Sequence, residues 1–166
     1  MKIIDNFMPE EKFDTLSSTL MSRFFPWYYL SKINVEDDMD YRCENRYFEH
    51  NFFQYDSFDT FSKSEMFHVV QPFLDMLGIE SLFRVKSNLF PSTQTLIQHA
   101  FHTDLDINHK GAILYLNDCD GYTVFPDGTK IESVANRCLL FDSSKLHAST
   151  TCTNEKARLN INVNYL

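Results

Sequence analysis

The chain has 166 residues and carries 23 acidic against 15 basic side chains, for a formal net charge of −8. Because a negative surface repels phosphate backbones and the Lys and Arg residues are scattered, general nucleic-acid binding is disfavoured. Hydrophobic residues make up 43% of the chain, but no run approaches the roughly 18 apolar residues of a membrane helix. The length predicts a single domain over residues 1–166.

Cysteine usage indicates a reducing compartment. The four cysteines are far apart and show no C-x-x-C spacing, and the N-terminus lacks the apolar stretch of a secretion signal. We therefore expect a cytoplasmic protein with structural thiols.

The N-terminal half predicts a short strand followed by two helices separated by aromatic segments. Helical spacing relates Phe13, Leu16, Leu20 and Phe24. Residues 62–78 indicate a second helix that ends at Gly78, and "FPWYYL" (25–30) indicates a strand. Residues 31–60 have no clear period, so strands, loops or the wall of an entrance all remain open there.

The pattern of hydrophobic residues changes from residue 80 onward, where short apolar or alternating runs recur between turn signals. The runs are "SLFRVKSNLF", "TLIQHAFH", "GAILYLN", "YTVF", "TKIESV", "RCLLFD", "LHASTT" and "ARLNINVNYL". Such spacing predicts a mainly β (α+β) fold, a jelly roll or double-stranded β-helix over residues 80–166. Residues 1–79 then supply helical support on the outside of one sheet.

The last predicted strand separates polar from apolar side chains by parity. Arg158, Asn160, Asn162 and Asn164 alternate with Leu159, Ile161, Val163 and Tyr165. Alternate residues of a strand share a face. The apolar face can pack against the helices, and the polar face then lines solvent or a wet cavity. Buried groups of that kind need partners, so this face is a candidate binding surface.

Three side chains form a candidate metal site. His102 and Asp104 stand two residues apart, and His147 follows in a later run. Two imidazoles and one carboxylate are the ligand set of the facial triad that holds non-haem Fe(II) and leaves coordination positions open. H-x-D alone is a weak signal. H-x-D followed by a distal His, with Arg158 eleven residues beyond it, is a much stronger joint pattern.

These motifs resemble the 2-oxoglutarate/Fe(II)-dependent oxygenases, most closely the prolyl 4-hydroxylase group, which includes small stand-alone members from bacterial viruses. The resemblance covers residues 80–166 well and the N-terminal half more loosely. It is carried by "HTD" (102–104), "ILYLND" (113–118), "DGYTVFPDG" (120–128), "NRCLLFD" (136–142), "LH" (146–147) and "ARLNINVNY" (157–165).

The resemblance implies roles for individual positions. The implied iron ligands are His102, Asp104 and His147. The implied co-substrate residues are Arg158, Tyr115, Asn162 and Asn88, with Asn160 as a weaker candidate. A planar guanidinium suits the distal carboxylate of 2-oxoglutarate bidentately. Two positions depart from the pattern: Phe90 stands where relatives commonly have Tyr, and Gly121 is a single glycine where relatives often have two.

The implied activity is hydroxylation of a peptide, protein or small molecule, with 2-oxoglutarate and O2 as co-substrates and ascorbate as a further candidate. A prolyl residue is the leading substrate prediction. Three alternatives stay open: a nucleobase-directed dealkylase, a non-catalytic, metal-free jelly roll that serves as a binding or virion component, and a cupin-like metal enzyme without 2-oxoglutarate. Dealkylases usually carry a second Arg six residues after the first, and here that position is Asn164.

The remaining histidines and Asp106 are not predicted site residues. His99 lies three residues before His102, which in a regular strand is the opposite face. His50, His68 and His109 have no partner in the sequence and are assigned to the core or the surface. Asp106 is predicted to be a solvated loop acid.

Overall fold

A computed structural model describes residues 1–31, 46–55 and 60–166. In these ranges the chain forms two helices and eleven strands. The helices are α1 (Glu10–Met21) and α2 (Phe67–Leu77). The strands are β1 (Lys2–Ile4), β2 (Tyr28–Leu30), β3 (Tyr47–Tyr55), β4 (Phe61–Lys63), β5 (Leu82–Pro91), β6 (Lys110–Tyr115), β7 (Cys119–Val124), β8 (Lys130–Ser133), β9 (Cys138–Asp142), β10 (Ala148–Ser149) and β11 (Ala157–Tyr165).

The strands build two antiparallel sheets. The larger sheet has the order β1-β9-β6-β11-β5-β3-β2, with β4 added to β3. The smaller sheet has the order β10-β7-β8. Two isolated bridges, Gln98 with Thr150 and His102 with His147, set residues 98–102 beside the chain at β10. This two-sheet arrangement confirms the predicted double-stranded β-helix.

The main core lies between the helices and the larger sheet. Its buried members include Phe13, Leu16 and Leu20 of α1, Val70 and Phe73 of α2, and Leu159, Ile161, Val163 and Tyr165 of β11. The apolar face of β11 thus packs against the helices, as predicted, and its polar face points away from them. A side chain such as Ile161, with 0% exposure, contributes about 2 kcal/mol on burial.

Both predicted helices form, with corrections at their ends. The second helix was predicted over residues 62–78, but α2 begins only at Phe67, and residues 62 and 63 belong to β4. Pro9 stands at the start of α1, and Gly78 ends α2 in the left-handed conformation with φ 62°, where glycine has no Cβ to clash. Phe24 was assigned to the apolar stripe of α1, but this prediction is wrong. The helix ends at Met21, so Phe24 leaves the helical face and is 80% exposed.

The second of the eight predicted strands is also wrong in part. Residues 95–102 make isolated bridges rather than a regular strand, and Asp104 lies in a bend. The predicted run 146–151 shortens to the two residues of β10. From the undetermined stretch 31–60, β3 joins the larger sheet beside β5, while residues 32–45 and 56–59 lie outside the described residues. No helix of the described ranges combines the length and apolar character needed to cross a membrane.

Candidate metal centre and co-substrate pocket

The structure brings the three predicted metal-ligating side chains together. One potential ligand atom each from His102, Asp104 and His147 lies within 4.8 Å of the others. The two histidines face each other across the bridge between their chains, with backbone N–H to O distances of 2.9 and 3.0 Å. Long-range pairing, rather than the H-x-D spacing alone, therefore sets His147 against the other two.

Backbone carbonyls orient both imidazoles. Nδ1 of His102 lies 3.2 Å from the carbonyl oxygen of Ala100, and Nδ1 of His147 lies 3.0 Å from that of Lys145. Because a carbonyl only accepts, each Nδ1 donates in these contacts, and Nε2 of each ring is the nitrogen placed to ligate a metal. Burial, followed by the charge of His147, lowers the pKa of His102. The neutral, ligating form is therefore favoured.

The Asp104 carboxylate is held by several donors. Ser143 Oγ donates to Oδ2 at 2.5 Å and Asn164 Nδ2 at 2.9 Å, while Arg84 Nη2 donates to Oδ1 at 2.8 Å. Burial by itself raises the pKa of Asp104, but the charges of Arg84 and His147 and these hydrogen bonds outweigh it and hold the pKa below its usual range. Asp104 is thus a fixed anion.

A guanidinium that was not predicted as a site residue reaches the metal-end carboxylate from β5, a strand that the sequence did predict. Register pairs Asn164 of β11 with Arg84 of β5, and Arg84 Nε also donates to Asn164 Oδ1 at 3.0 Å. The absence of a second Arg at position 164 was taken as evidence against a dealkylase. Arg84 nevertheless places a guanidinium on Asp104 from the neighbouring strand.

Arg158 lies at the other end of the same pocket. Its side chain is fully buried, and burial lowers its pKa. Its hydrogen bonds go to the carbonyl of Thr150 at 3.3 Å and to Thr123 Oγ1 at 3.1 Å, while Nε has no partner. Across residues 1–31, 46–55 and 60–166, no carboxylate forms an ion pair with it. A buried cation in this state calls for an anionic ligand.

Tyr115 is linked to Arg158 through a shared hydroxyl. The Tyr115 hydroxyl donates to Thr123 Oγ1 at 2.9 Å, and the Arg158 guanidinium carbon lies 5.5 Å from the Tyr115 ring centroid. Tyr115 is fully buried, and the pocket is lined by Thr123 and Arg158 but not by Tyr115. The predicted tyrosine therefore stands behind the pocket wall.

Amides connect the two ends of the pocket. Asn88 Nδ2 donates to Asn160 Oδ1 at 2.9 Å across paired strands. Asn162 Nδ2 lies 3.3 Å from Asp104 Oδ2, and its Oδ1 is buried without a partner. All three asparagines line the pocket, with Asn162 at the metal end.

The two positions that depart from the family pattern both lie against Arg158. The Phe90 ring centroid is 5.7 Å from the guanidinium carbon, so an aromatic face covers the cation where a hydroxyl was expected. A Cβ built on Gly121 would lie 2.6 Å from Arg158 Cδ and 2.5 Å from the carbonyl oxygen of Thr151. Only a residue without a side chain fits there.

The pocket is a cavity of about 150 Å³ between the two sheets. Its remaining lining residues, beyond those already described, include Tyr47, Lys86, Thr103, Ile113, Ala148 and Ser149.

Sequence reasoning missed two charged lining residues, Arg84 and Lys86. Both belong to β5 and share the parity of Asn88, which was predicted. Applying the alternation rule to this strand, as was done for β11, identifies them.

His99 was excluded on parity, and the reason for excluding it is wrong. The bridges pair Gln98 with Thr150 but His102 with His147, so five residues on one segment face four on the other. This offset breaks the alternation. The buried His99 ring packs 5.4 Å from Phe90, and Nδ1 lies 2.8 Å from Ser149 Oγ. His50 and His109 are buried and His68 and Asp106 are exposed, as their assignments to the core, the surface or a loop require.

Comparison with solved structures agrees with this architecture. An oxidoreductase of the 2OG-Fe(II) oxygenase family from Burkholderia pseudomallei superposes with a TM-score of 0.66 at 12% identity, covering 98% of this chain and 83% of that one. The α-ketoglutarate-dependent epimerase SnoN gives 0.64 at 10% identity, covering 99% and 76%. A Trichoplax adhaerens prolyl hydroxylase in complex with a hypoxia-inducible-factor peptide gives 0.60 at 16% identity, covering 99% and 82%.

No protein-family model and no curated protein sequence matches the chain. At these identities the structural neighbours establish the double-stranded β-helix fold. They do not establish a shared reaction or substrate.

Proposed function

We propose that the chain is a 2-oxoglutarate- and Fe(II)-dependent dioxygenase that hydroxylates its substrate and releases succinate and CO2. The observation that carries this proposal is the placement of two candidate binding sites in one cavity. One end holds the His102, Asp104 and His147 cluster, and the other holds the buried Arg158 guanidinium, which pairs with no carboxylate of the described residues.

The residues present fit a ferrous ion. Two imidazoles, each oriented through Nδ1 by a backbone carbonyl, and one fixed carboxylate are a donor set suited to Fe(II) with positions left open. When bound, the iron supplies the oxidising chemistry with O2 and 2-oxoglutarate. The role of the chain is to orient the three donors and to keep Asp104 ionised.

The residues present also fit 2-oxoglutarate. Arg158 offers a fork of N–H donors to a carboxylate, and Thr123, which bonds both Arg158 and Tyr115, adds a hydroxyl beside it. Asn88 and Asn160 supply polar groups along the wall between Arg158 and the metal end. A dicarboxylate can therefore be held at one end by the guanidinium with its other end toward the histidines.

We propose a prolyl residue of a peptide or protein as the leading substrate class. The support is the sequence resemblance to prolyl 4-hydroxylases together with the fold shared with a prolyl hydroxylase that was solved with a peptide. The epimerase among the neighbours shows why the substrate has to be tested directly.

The decisive experiment is anaerobic addition of Fe(II) and 2-oxoglutarate to the purified protein. A weak visible charge-transfer band at about 500 nm is expected when 2-oxoglutarate chelates iron that has open positions. His102→Ala should abolish the band. His68→Ala, which changes an exposed histidine of α2, should retain it.

Succinate release under air, with and without prolyl peptides and nucleosides, then addresses the substrate. A wild-type protein that binds neither Fe(II) nor 2-oxoglutarate would refute the enzymatic proposal and favour a jelly roll that only binds. Turnover stimulated by a methylated nucleoside but by no prolyl peptide would replace the prolyl proposal with the dealkylase.

A further inference from the structure

Lys86 is an inward-facing ammonium that the proposed metal and co-substrate sites do not use. It lies on β5 between Arg84 and Asn88 on the pocket side of the strand. Its side chain is 17% exposed, which is low for lysine. Register sets it opposite Asn162 of β11, at the level of the metal end.

The Lys86 ammonium is only partly satisfied by protein groups. It has three N–H donors, and within the described residues the one acceptor is Glu49 Oε2 of β3 at 3.0 Å. The Tyr47 hydroxyl donates to the same Glu49 oxygen, also at 3.0 Å. Glu49 therefore holds Lys86 at the wall, where Nζ also lies 5.6 Å from the Tyr47 ring centroid. No second acceptor among the described residues engages the ammonium, which leaves donors for a molecule in the cavity.

The charge balance of the pocket favours a further anion. Arg84, Lys86 and Arg158 supply three positive charges, while Asp104 and Glu49 supply two negative ones. A ferrous ion and a 2-oxoglutarate dianion cancel each other, so the filled pocket keeps one positive charge. In a chain with a net charge of −8, such a local surplus selects and attracts an anionic ligand.

We propose that Lys86 is a second carboxylate-binding position of the pocket, separate from Arg158. This inference rests on the proposed function. Two sources can supply the carboxylate: the end of 2-oxoglutarate nearest the metal, or the primary substrate. The second source narrows the substrate class to acids, such as an amino acid, a peptide with a free C-terminus or a residue beside an acidic side chain.

The test compares wild type with Lys86→Met, Lys86→Gln and a control, Lys156→Met, which removes an exposed lysine before β11. Titration of the Fe(II) protein with 2-oxoglutarate, followed by the visible band, measures co-substrate affinity. Ligand-observed NMR on protein loaded with Zn(II) and 2-oxoglutarate measures binding of acetate, L-proline and glycyl-L-proline. Each acid is paired with its neutral amide.

A rise of about tenfold or more in the 2-oxoglutarate Kd in both Lys86 variants, but not in Lys156→Met, assigns the carboxylate to the co-substrate. The other outcome is an unchanged 2-oxoglutarate Kd together with saturable binding of an acid, but not of its amide, to the wild-type protein. If the Lys86 variants lose that binding, the carboxylate at Lys86 belongs to the primary substrate. If neither affinity depends on Lys86, the inference is overturned.

Glu49→Gln keeps the test informative if the Lys86 variants fold poorly. Removing the competing carboxylate frees the ammonium, so carboxylate binding should tighten in Glu49→Gln, and unchanged or weaker binding contradicts the inference. A wild-type protein without the visible band refutes the proposed function itself. If the wild-type protein shows the band but carboxylate affinity is the same in the Lys86 and Glu49 variants, only this inference is refuted.

Discussion

Arg84 and Asp104 form an ion pair beside the two facing histidines, with Nη2 2.8 Å from Oδ1. The Asp104 side chain is 4% exposed and that of Arg84 is 17% exposed. Arg84 therefore supplies positive charge to a carboxylate that would otherwise be buried alone. A divalent ion at the same carboxylate supplies charge of the same sign, so the stability of the metal-free protein and its response to metal are linked through this pair.

Replacing Arg84 by Met should destabilise the metal-free protein and enlarge its response to metal. An unpaired buried carboxylate costs about 3 kcal/mol, and a divalent ion offsets part of that cost. Thermal unfolding with a chelator and with saturating Zn(II) measures both effects. Arg137→Met is the matched control, since Arg137 lies 2.6 Å from an Asp5 whose side chain is 57% exposed, and exposed pairs contribute about 1 kcal/mol at most. Equal metal responses in the two variants would contradict the prediction.

His99 should make the protein less stable in mild acid. Burial, followed by the charges of Arg158 and His102, lowers the pKa of His99 to about 3, whereas an unfolded histidine titrates near pH 6.5. Between these values the unfolded chain binds a proton that the folded chain does not. Stability present above about pH 6.5 is therefore lost as the pH falls, by up to about 1.4 kcal/mol per pH unit.

Urea unfolding at about pH 7 and about pH 5 tests this dependence. His99→Gln should lose less stability over that interval than wild type, because glutamine does not titrate. His68→Gln, at an exposed position of α2, shows whether any histidine replacement has the same effect. A wild-type slope in His99→Gln would disprove the assignment.

Replacing each of two glycines by alanine should affect a different end of the pocket. Gly121→Ala sets a Cβ 2.6 Å from Arg158 Cδ, and Gly111→Ala sets one 2.6 Å from Cβ of Ser143, the residue that donates to Asp104. Each overpacked variant should lose about 1–3 kcal/mol. Gly121→Ala should mainly weaken 2-oxoglutarate binding and Gly111→Ala mainly metal binding. Titration of each ligand with both variants checks this, and identical profiles would count against it.

Arg158→Lys should weaken 2-oxoglutarate while sparing the metal. Lysine keeps the charge but loses the planar fork that suits a carboxylate, so the 2-oxoglutarate Kd should rise by about tenfold or more. Metal affinity, measured by Zn(II) competition, should stay within about twofold, because Arg158 lies at the end of the pocket away from the histidines. Retention of wild-type 2-oxoglutarate affinity would remove Arg158 from the co-substrate site.

Periodicity in the sequence was sufficient for the fold class and for the polar wall of β11. Arg158, Asn160, Asn162 and Asn164 alternate with apolar residues, and the structure places the two sets on opposite faces of that strand. The same alternation rule applied to β5 identifies Arg84 and Lys86, which share the parity of Asn88.

Other features depended on pairing between distant segments. His99 was excluded by parity, but the one-residue offset between its bridge and that of His102 cancels the alternation. Asp104 receives Arg84 because β11 and β5 pair Asn164 with Arg84, and no spacing in the sequence encodes that contact. Phe24 left its predicted face because the backbone becomes extended at Ser22, with φ −70° and ψ 148°, so that α1 ends at Met21.

The sequence by itself determined which residues share a face of each regular strand and which side chains carry metal-binding chemistry, because both depend on local backbone geometry and residue type. Tertiary structure alone decided that Arg158 is buried, with no ion-paired carboxylate in the part of the chain that the structure describes, and that His147 faces His102. Those facts follow from strand register and sheet packing, which join residues far apart along the chain and so depend on the whole fold.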